Sequence, residues 1–155
     1  MSSKILFILH LPPPIHGAAM MGKYIQESEL VNSSFDCFCI NLATAGSLSD
    51  IGHISLKKLL KYFFLLKHIS HVVREIRPEL VYITPNAGGK AFFKDFIVVQ
   101  MLKSMGCKVI AHYHNKGVSV YQSKWVYNFF YKRFFSNLKV ILLAENLYKD
   151  IAKYV

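Results

Sequence analysis

The chain has 155 residues, of which 53% are hydrophobic and 18% charged. These values describe one domain with one core and exclude a disordered or low-complexity chain. Lys and Arg number 19 against 9 Asp and Glu, a formal net charge of +10. That balance fits an anionic partner (phosphate groups, a membrane surface or nucleic acid) or a basic surface that serves only solubility.

The first element is the run KILFILH, Lys4 to His10, continuous in apolar residues and so suited to a strand buried on both faces of a parallel sheet. Three prolines, Pro12 to Pro14, follow it, and His16-Gly17 opens a helix expected over Ala18–Leu30. FDCFCINL, Phe35 to Leu42, is a second strand, which makes Cys37 and Cys39 buried strand residues. With Cys107 they make an odd count without CxxC spacing, so neither a disulfide framework nor a zinc site is expected. Ala43 to His53 reads as a loop.

A long helix is expected over Ser55–Arg77, ended by Pro78. Leu56, Leu59, Leu60, Phe63, Leu66, Ile69, Val73 and Ile76 fall at three-and-four spacing and are expected to form its core face. Lys57, Lys61, Phe64, His68 and His71, flanked by Lys58, Tyr62 and Leu65, form a second stripe, basic with apolar groups, that suits an anionic membrane.

ELVYIT, Glu79 to Thr84, is a third strand, followed by the loop PNAGGK and a helix over Lys90–Ser104. CKVIAHYH, Cys107 to His114, is a fourth strand. A helix over Ser119–Phe135 contains WVYNFFYKRFF, dense in aromatics, which suits either packing or lipid contact. KVILLA, Lys139 to Ala144, is a fifth strand, and Glu145–Val155 begins another helix. Strands alternating with helices predict a doubly wound, mainly parallel α/β sheet, Rossmann-like, in one domain over 1–155. Ligands of such sheets bind beyond the carboxyl ends of the strands, which directs attention to the loops there.

Those loops lack GxGxxG and GxxxxGK[ST], so neither a dinucleotide site nor a P-loop is expected. Gly17 nevertheless delivers a helix N-terminus, whose N–H groups and dipole favour an anion, although the prolines and glycine also suit a plain turn. Gly88 and Gly89 expose backbone N–H groups, and Lys90 adds charge at a helix start. Asn86 suits either a sugar hydroxyl or a helix cap. His112 and His114 lie two apart and so share one strand face, with no third metal ligand evident; no metal is expected. His112 equally suits a hydrogen-bonded core residue. Asn115, Lys116 and Gly117 supply an amide, a cation and a turn, a set suited to an oxygen-rich, phosphorylated ligand. There is no GxSxG elbow and no cysteine beside a base.

KILFILH, the proline loop ending in His16-Gly17, the strand end HYHN and the run VILLAENLYKDI resemble the N-terminal half of a group 1 glycosyltransferase. These are retaining, nucleotide-sugar-dependent enzymes of the GT-B fold, and the resemblance runs over essentially the whole chain. It implies transfer of a sugar from a nucleotide diphosphate sugar, with no other cofactor, to a glycan or lipid-linked acceptor. It implies that Gly17, where the family commonly has the second of two glycines, lies near the donor diphosphate, with His16 in place of the first. His114-Asn115 matches the family histidine near the transferred sugar, with His112 as the alternative, and Glu145 matches an acid after the fifth strand. Asn86, Gly88 and Gly89 would then line the acceptor side, with Lys116 among the substrate- or donor-binding residues.

The family's second, nucleotide-sugar-binding domain has no counterpart in this sequence. The chain alone is therefore expected to be inactive, with that domain or a partner chain completing the enzyme. A cytoplasmic location is expected, with peripheral attachment to the inner face of the membrane as an option. The other readings are a non-catalytic, membrane-recruiting subunit and a basic nucleic-acid-binding domain; nucleic acid is not expected as a partner.

Overall fold

A computed structural model describes residues 2–42 and 56–155. The loop expected over Ala43–His53, and Ser55 at the expected start of the long helix, lie outside the described residues. The architecture is α/β, with a five-stranded, all-parallel sheet flanked by helices in the strand order β2-β1-β3-β4-β5. The strands are β1 Lys4–Leu9, β2 Asp36–Asn41, β3 Leu80–Ile83, β4 Val109–Tyr113 and β5 Lys139–Leu142. The helices are α1 Gly17–Gln26, α2 Glu29–Ser34, α3 Leu56–Ile76, α4 Gly89–Ser104, α5 Val118–Tyr121, α6 Trp125–Phe135 and α7 Tyr148–Ile151. A 3-10 turn, Glu145–Leu147, precedes α7. The chain divides into two compact units, Met1–Tyr82 and Ile83–Val155.

In the first unit, every residue of β1 after Lys4 is buried, as a strand covered on both faces requires. Ile5, Phe7 and Leu9 form a cluster with Leu11, Ile25, Val31, Leu80 and Tyr82 around it. Gly22 lets α1 approach the end of β1: a Cβ there would lie 2.2 Å from the His10 carbonyl oxygen. The single helix expected over Ala18–Leu30 is instead two. α1 ends at Gln26, and Ser28 starts α2 by accepting from the Val31 N–H. An N-cap serine competes well with helix continuation. Cys37 is half-buried and Cys39 exposed, so the expectation that both are buried is corrected.

α3 departs most from expectation. Its buried residues are Tyr62, Ile69 and Val73. Leu56, Leu59, Leu60 and Phe63, expected in the core, are exposed, and Tyr62, expected on the basic stripe, is buried. Ile69 and Val73 of the expected core face are buried and Leu66 and Ile76 half-buried, so that face packs over the second half of the helix but not over the first. Over that first half both stripes carry leucine or phenylalanine, so spacing alone does not choose between them.

In the second unit the core is aromatic. Phe92 of α4 is fully buried, with ring centroids 4.6 Å from Tyr131 and 5.5 Å from Phe134 of α6. Such pairs add about 1 kcal/mol each beyond area burial. The Lys103 ammonium donates to the carbonyls of Arg133, Phe134 and Ser136, tying α4 to the C-terminal end of α6. The helix expected over Ser119–Phe135 breaks at Gln122–Lys124 into α5 and α6, and the last helix ends at Ile151. Tyr131, Phe134 and Phe135 of the aromatic run are buried, whereas Trp125 and Phe129 are exposed.

Candidate functional site

Within the second unit, the loop after β3 is held at three points. Asp95 of α4 accepts from the Asn86 backbone N–H at 2.8 Å and from Asn86 Nδ2 at 2.7 Å. Tyr131 of α6 donates its hydroxyl to the Ala87 carbonyl. The ring of Tyr121 stands where a Cβ on Gly88 would lie, 2.4 Å away. Gly88 is the N-cap of α4 and makes no side-chain bond, so Asn86 is not the cap. Its amide nitrogen binds Asp95 instead. The glycine requirement at 88 comes from Tyr121 packing, and that at 89 from a positive φ of 68°.

The loop after β4 is held by one carboxylate. Asp150 of α7, 3% exposed, accepts from the Gly117 and Val118 N–H groups on Oδ2 and from the Ser119 N–H and hydroxyl on Oδ1. Burial alone would push this carboxyl up, but the Ser119 hydroxyl and the three N–H groups more than offset it, leaving its pKa below the ordinary value. The expectation that Gly117 serves a ligand as a turn is sharpened: its N–H already serves Asp150. A Cβ on Gly117 would lie 3.4 Å from the Ala87 side chain, so the two loops meet there. Asn115 and Lys116, just before it, are exposed.

His112 and His114 stand at the carboxyl end of β4 with ring centroids 4.2 Å apart. Burial, reinforced by His114, brings the pKa of His112 down to about 4; burial also lowers that of His114. Both rings are therefore neutral near pH 7. Neither ring nitrogen of His114 has a hydrogen-bond partner among the described residues, and both are buried. A neutral imidazole carries one donor and one acceptor, the pair that a hydroxyl-bearing ligand satisfies. Among the described residues no three His, Cys, Asp or Glu are grouped to hold a metal. Burial raises the Cys37 and Cys107 thiols, the former helped by Asp36, so neither is a poised nucleophile. Glu145 is exposed in its 3-10 turn.

In the first unit, His16 is the N-cap of α1, its Nδ1 accepting from the Ala19 N–H at 3.4 Å. It thus has a structural task beside the ligand contact expected of it. A Cβ on Gly17 would meet nothing within 4 Å, so the start of α1 is open. Asn41, at the end of β2, accepts from the Leu11 N–H through Oδ1 at 3.2 Å and steadies the proline loop. Beside that loop is a cavity of about 430 Å³ lined by Leu11, Pro12, Met20, Gln26 and Asn41 among others.

Sequence reasoning missed Asp95, Asp150, Tyr121 and Tyr131, the residues that fix the two loops. A signal was present for Asp95, an acid inside the apolar run AFFKDFIVV, where a lone carboxylate needs donors. Comparison of the chain with protein-family models, curated proteins and solved structures gave no match.

Proposed function

We propose that this chain is the acceptor-side, Rossmann-like part of a retaining glycosyltransferase that uses a nucleotide diphosphate sugar. The observation that carries the proposal is His114: a neutral imidazole at the carboxyl end of β4 whose nitrogens no described residue satisfies. It supports a role in holding a hydroxyl of the transferring sugar. The catalytic work assigned to this part is positioning and charge stabilisation, with the start of α1 at Gly17 offered to donor phosphate. The loop 85–89 shapes the acceptor side. The His114→Ala variant of an enzyme containing this domain is expected to lose roughly a hundredfold in sugar transfer, and radiolabel transfer from a set of nucleotide sugars measures it. Unchanged turnover removes His114 from the mechanism.

A membrane-recruiting role is favoured by α3. Its first half exposes Leu56 at 74%, Leu59 at 60% and Phe64 at 63%, interleaved with Lys57, Lys61 and Lys67. The helix has no acid before Glu75. Apolar side chains inserted between lipids, with lysines at phosphate depth, fit an anionic bilayer surface. In the second unit, Trp125 is 81% exposed, with Lys132 and Arg133 two turns further on. Among the described residues no helix is long and apolar enough to cross a membrane. Co-sedimentation with vesicles containing anionic lipid is expected to exceed that with neutral vesicles about tenfold, and Phe64→Ser with Lys61→Ser is expected to abolish the excess. Equal binding to both vesicle types refutes this role.

A further inference from the structure

We infer that Cys37 and Cys39 form a two-thiolate site for one soft monovalent metal ion, Cu(I), in the cavity that β2 shares with the ends of α1 and α2. Both cysteines are free and lie in β2, whose ladder with β1 is regular, Cys37 opposite Ile5 and Cys39 opposite Phe7. Strand alternation therefore turns both side chains to one face. On that face is a cavity of about 180 Å³ lined by Phe7, Ile25, Gln26, Asn32, Cys37 and Cys39. The Asn32 amide donates to the Gln26 carbonyl at 2.9 Å and fixes the turn between α1 and α2 that borders it. Partial burial raises the Cys39 thiol, and Cys37 raises it further, so the two groups are close enough to act on each other.

Geometry selects the occupant. Two residues along a strand rise about 6.6 Å, whereas the Cβ atoms of a disulfide stand about 3.5–4.5 Å apart. The pair cannot close on itself without breaking the β1 ladder, but an ion set between the sulfurs spans it. Thiolates are soft ligands and select soft cations. Zinc takes four ligands, and among the described residues no three His, Cys, Asp or Glu form a metal-holding group. Cu(I), a d10 ion, is satisfied by two thiolates in line.

The surroundings permit binding. Asp36, which adds to the effect of burial in raising the Cys37 thiol, is close enough to attract a cation. The Cys37 thiol donates to the carbonyls of Phe35 at 3.5 Å and Val31 at 3.7 Å, weak bonds that are given up when its proton leaves. Cys39 is exposed and gives the ion a way in. In the binding step one Cu(I) forms two Cu–S bonds, both S–H bonds break, and two protons pass to water, leaving a bis-thiolate complex of net charge −1.

Anaerobic titration of the reduced full chain with Cu(I), in competition with a chromophoric Cu(I) chelator, tests the inference. One ion per chain is expected, retained against a millimolar excess of glutathione. Cys37→Ser and Cys39→Ser are each expected to weaken binding roughly a hundredfold, because one thiolate leaves the ion half-coordinated. Cys107→Ser, which alters the third cysteine and lies in the second unit, is expected to change nothing. All three positions are exposed or half-buried, and circular dichroism checks that each variant folds. X-ray absorption at the copper edge of the wild type needs no variant and is expected to show two sulfur neighbours. A chain that surrenders the ion to glutathione overturns the inference, as does a copper environment other than two sulfurs. So does equal weakening in all three variants, the mark of adventitious binding to single thiols, or a Cys37→Ser or Cys39→Ser variant that binds as tightly as wild type.

Discussion

Replacing Asp150 with alanine is expected to destabilise the fold by about 4 kcal/mol, the largest effect of a single side chain outside the aromatic core. The carboxylate accepts four hydrogen bonds, three of them from consecutive backbone N–H groups of the loop that enters α5. Val118 is fully buried, so its N–H cannot turn to water instead. Each donor left unsatisfied costs about 1–3 kcal/mol. Asp150→Asn keeps one acceptor oxygen and is expected to fall between wild type and alanine. The pH dependence has a definite sign. The Asp150 pKa is lower in the folded than in the unfolded chain, whose value is near 3.8. The electrostatic part of its contribution is complete above that value and is lost as pH falls through the folded pKa. Urea unfolding at pH 7 and pH 3 measures both: a large gap between wild type and alanine variant at pH 7, and a smaller one at pH 3. A gap below about 1 kcal/mol at pH 7 would mean that other contacts hold the loop.

The distribution of such contacts explains what was legible in the sequence. The strands were, because KILFIL, VIAHY and KVIL are local apolar runs bounded by turn residues and no distant information is needed to see them. Their alternation with helices was enough to expect a parallel sheet. Helix existence was legible in the same way, but the buried face of α3 was legible only in its second half, where Ile69 and Val73 are buried as expected. In α3 the apolar residues encircle much of the first half, and which stripe packs is decided by the partner surface, not by the helix. Helix breaks failed for a related reason: Ser28 caps α2 only because the Val31 N–H turns toward it, which spacing along the chain does not record. At the candidate site, His112 and His114 were legible because strand alternation alone puts them on one face. Asp95 and Asp150 were not. Each acts across a sequence gap, Asp150 reaching Gly117 33 residues away, and a single acid on a helix carries no local mark of such a partner. The glycines show the same limit. Gly88 and Gly89 were read together as a ligand-facing pair, yet one answers to the ring of Tyr121 and the other to backbone conformation.

Asp95→Asn is expected to do the opposite of Asp150→Ala and stabilise the protein by up to about 3 kcal/mol above pH 7. Asp95 is 2% exposed, and burial raises its pKa to about 6, against the two Asn86 hydrogen bonds and Lys94, which pull it down. A carboxyl whose pKa is higher folded than unfolded is a group whose ionisation opposes folding. The cost is fully present above about pH 6, declines as pH falls toward the unfolded value of 3.8, and is absent below it. Asparagine never ionises, and its carbonyl oxygen can still accept from the Asn86 N–H and amide. The variant is therefore expected to melt several degrees higher than wild type at pH 8, with the difference closing by pH 4. Subtracting the two melting curves also separates Asp95 from His112, whose lowered pKa takes stability away as pH falls from 6.5 to about 4. A variant less stable than wild type at pH 8, or a difference flat with pH, would falsify this account of Asp95. The asparagine amide oxygen is a weaker acceptor than a carboxylate for the two Asn86 donors, so the variant holds the head of the loop 85–89 less firmly. Asp95 grips Asn86, at the head of the loop assigned to the acceptor. The same variant is accordingly expected to reduce sugar transfer in an enzyme containing this domain while raising its melting temperature. A merely structural aspartate would not produce that opposition.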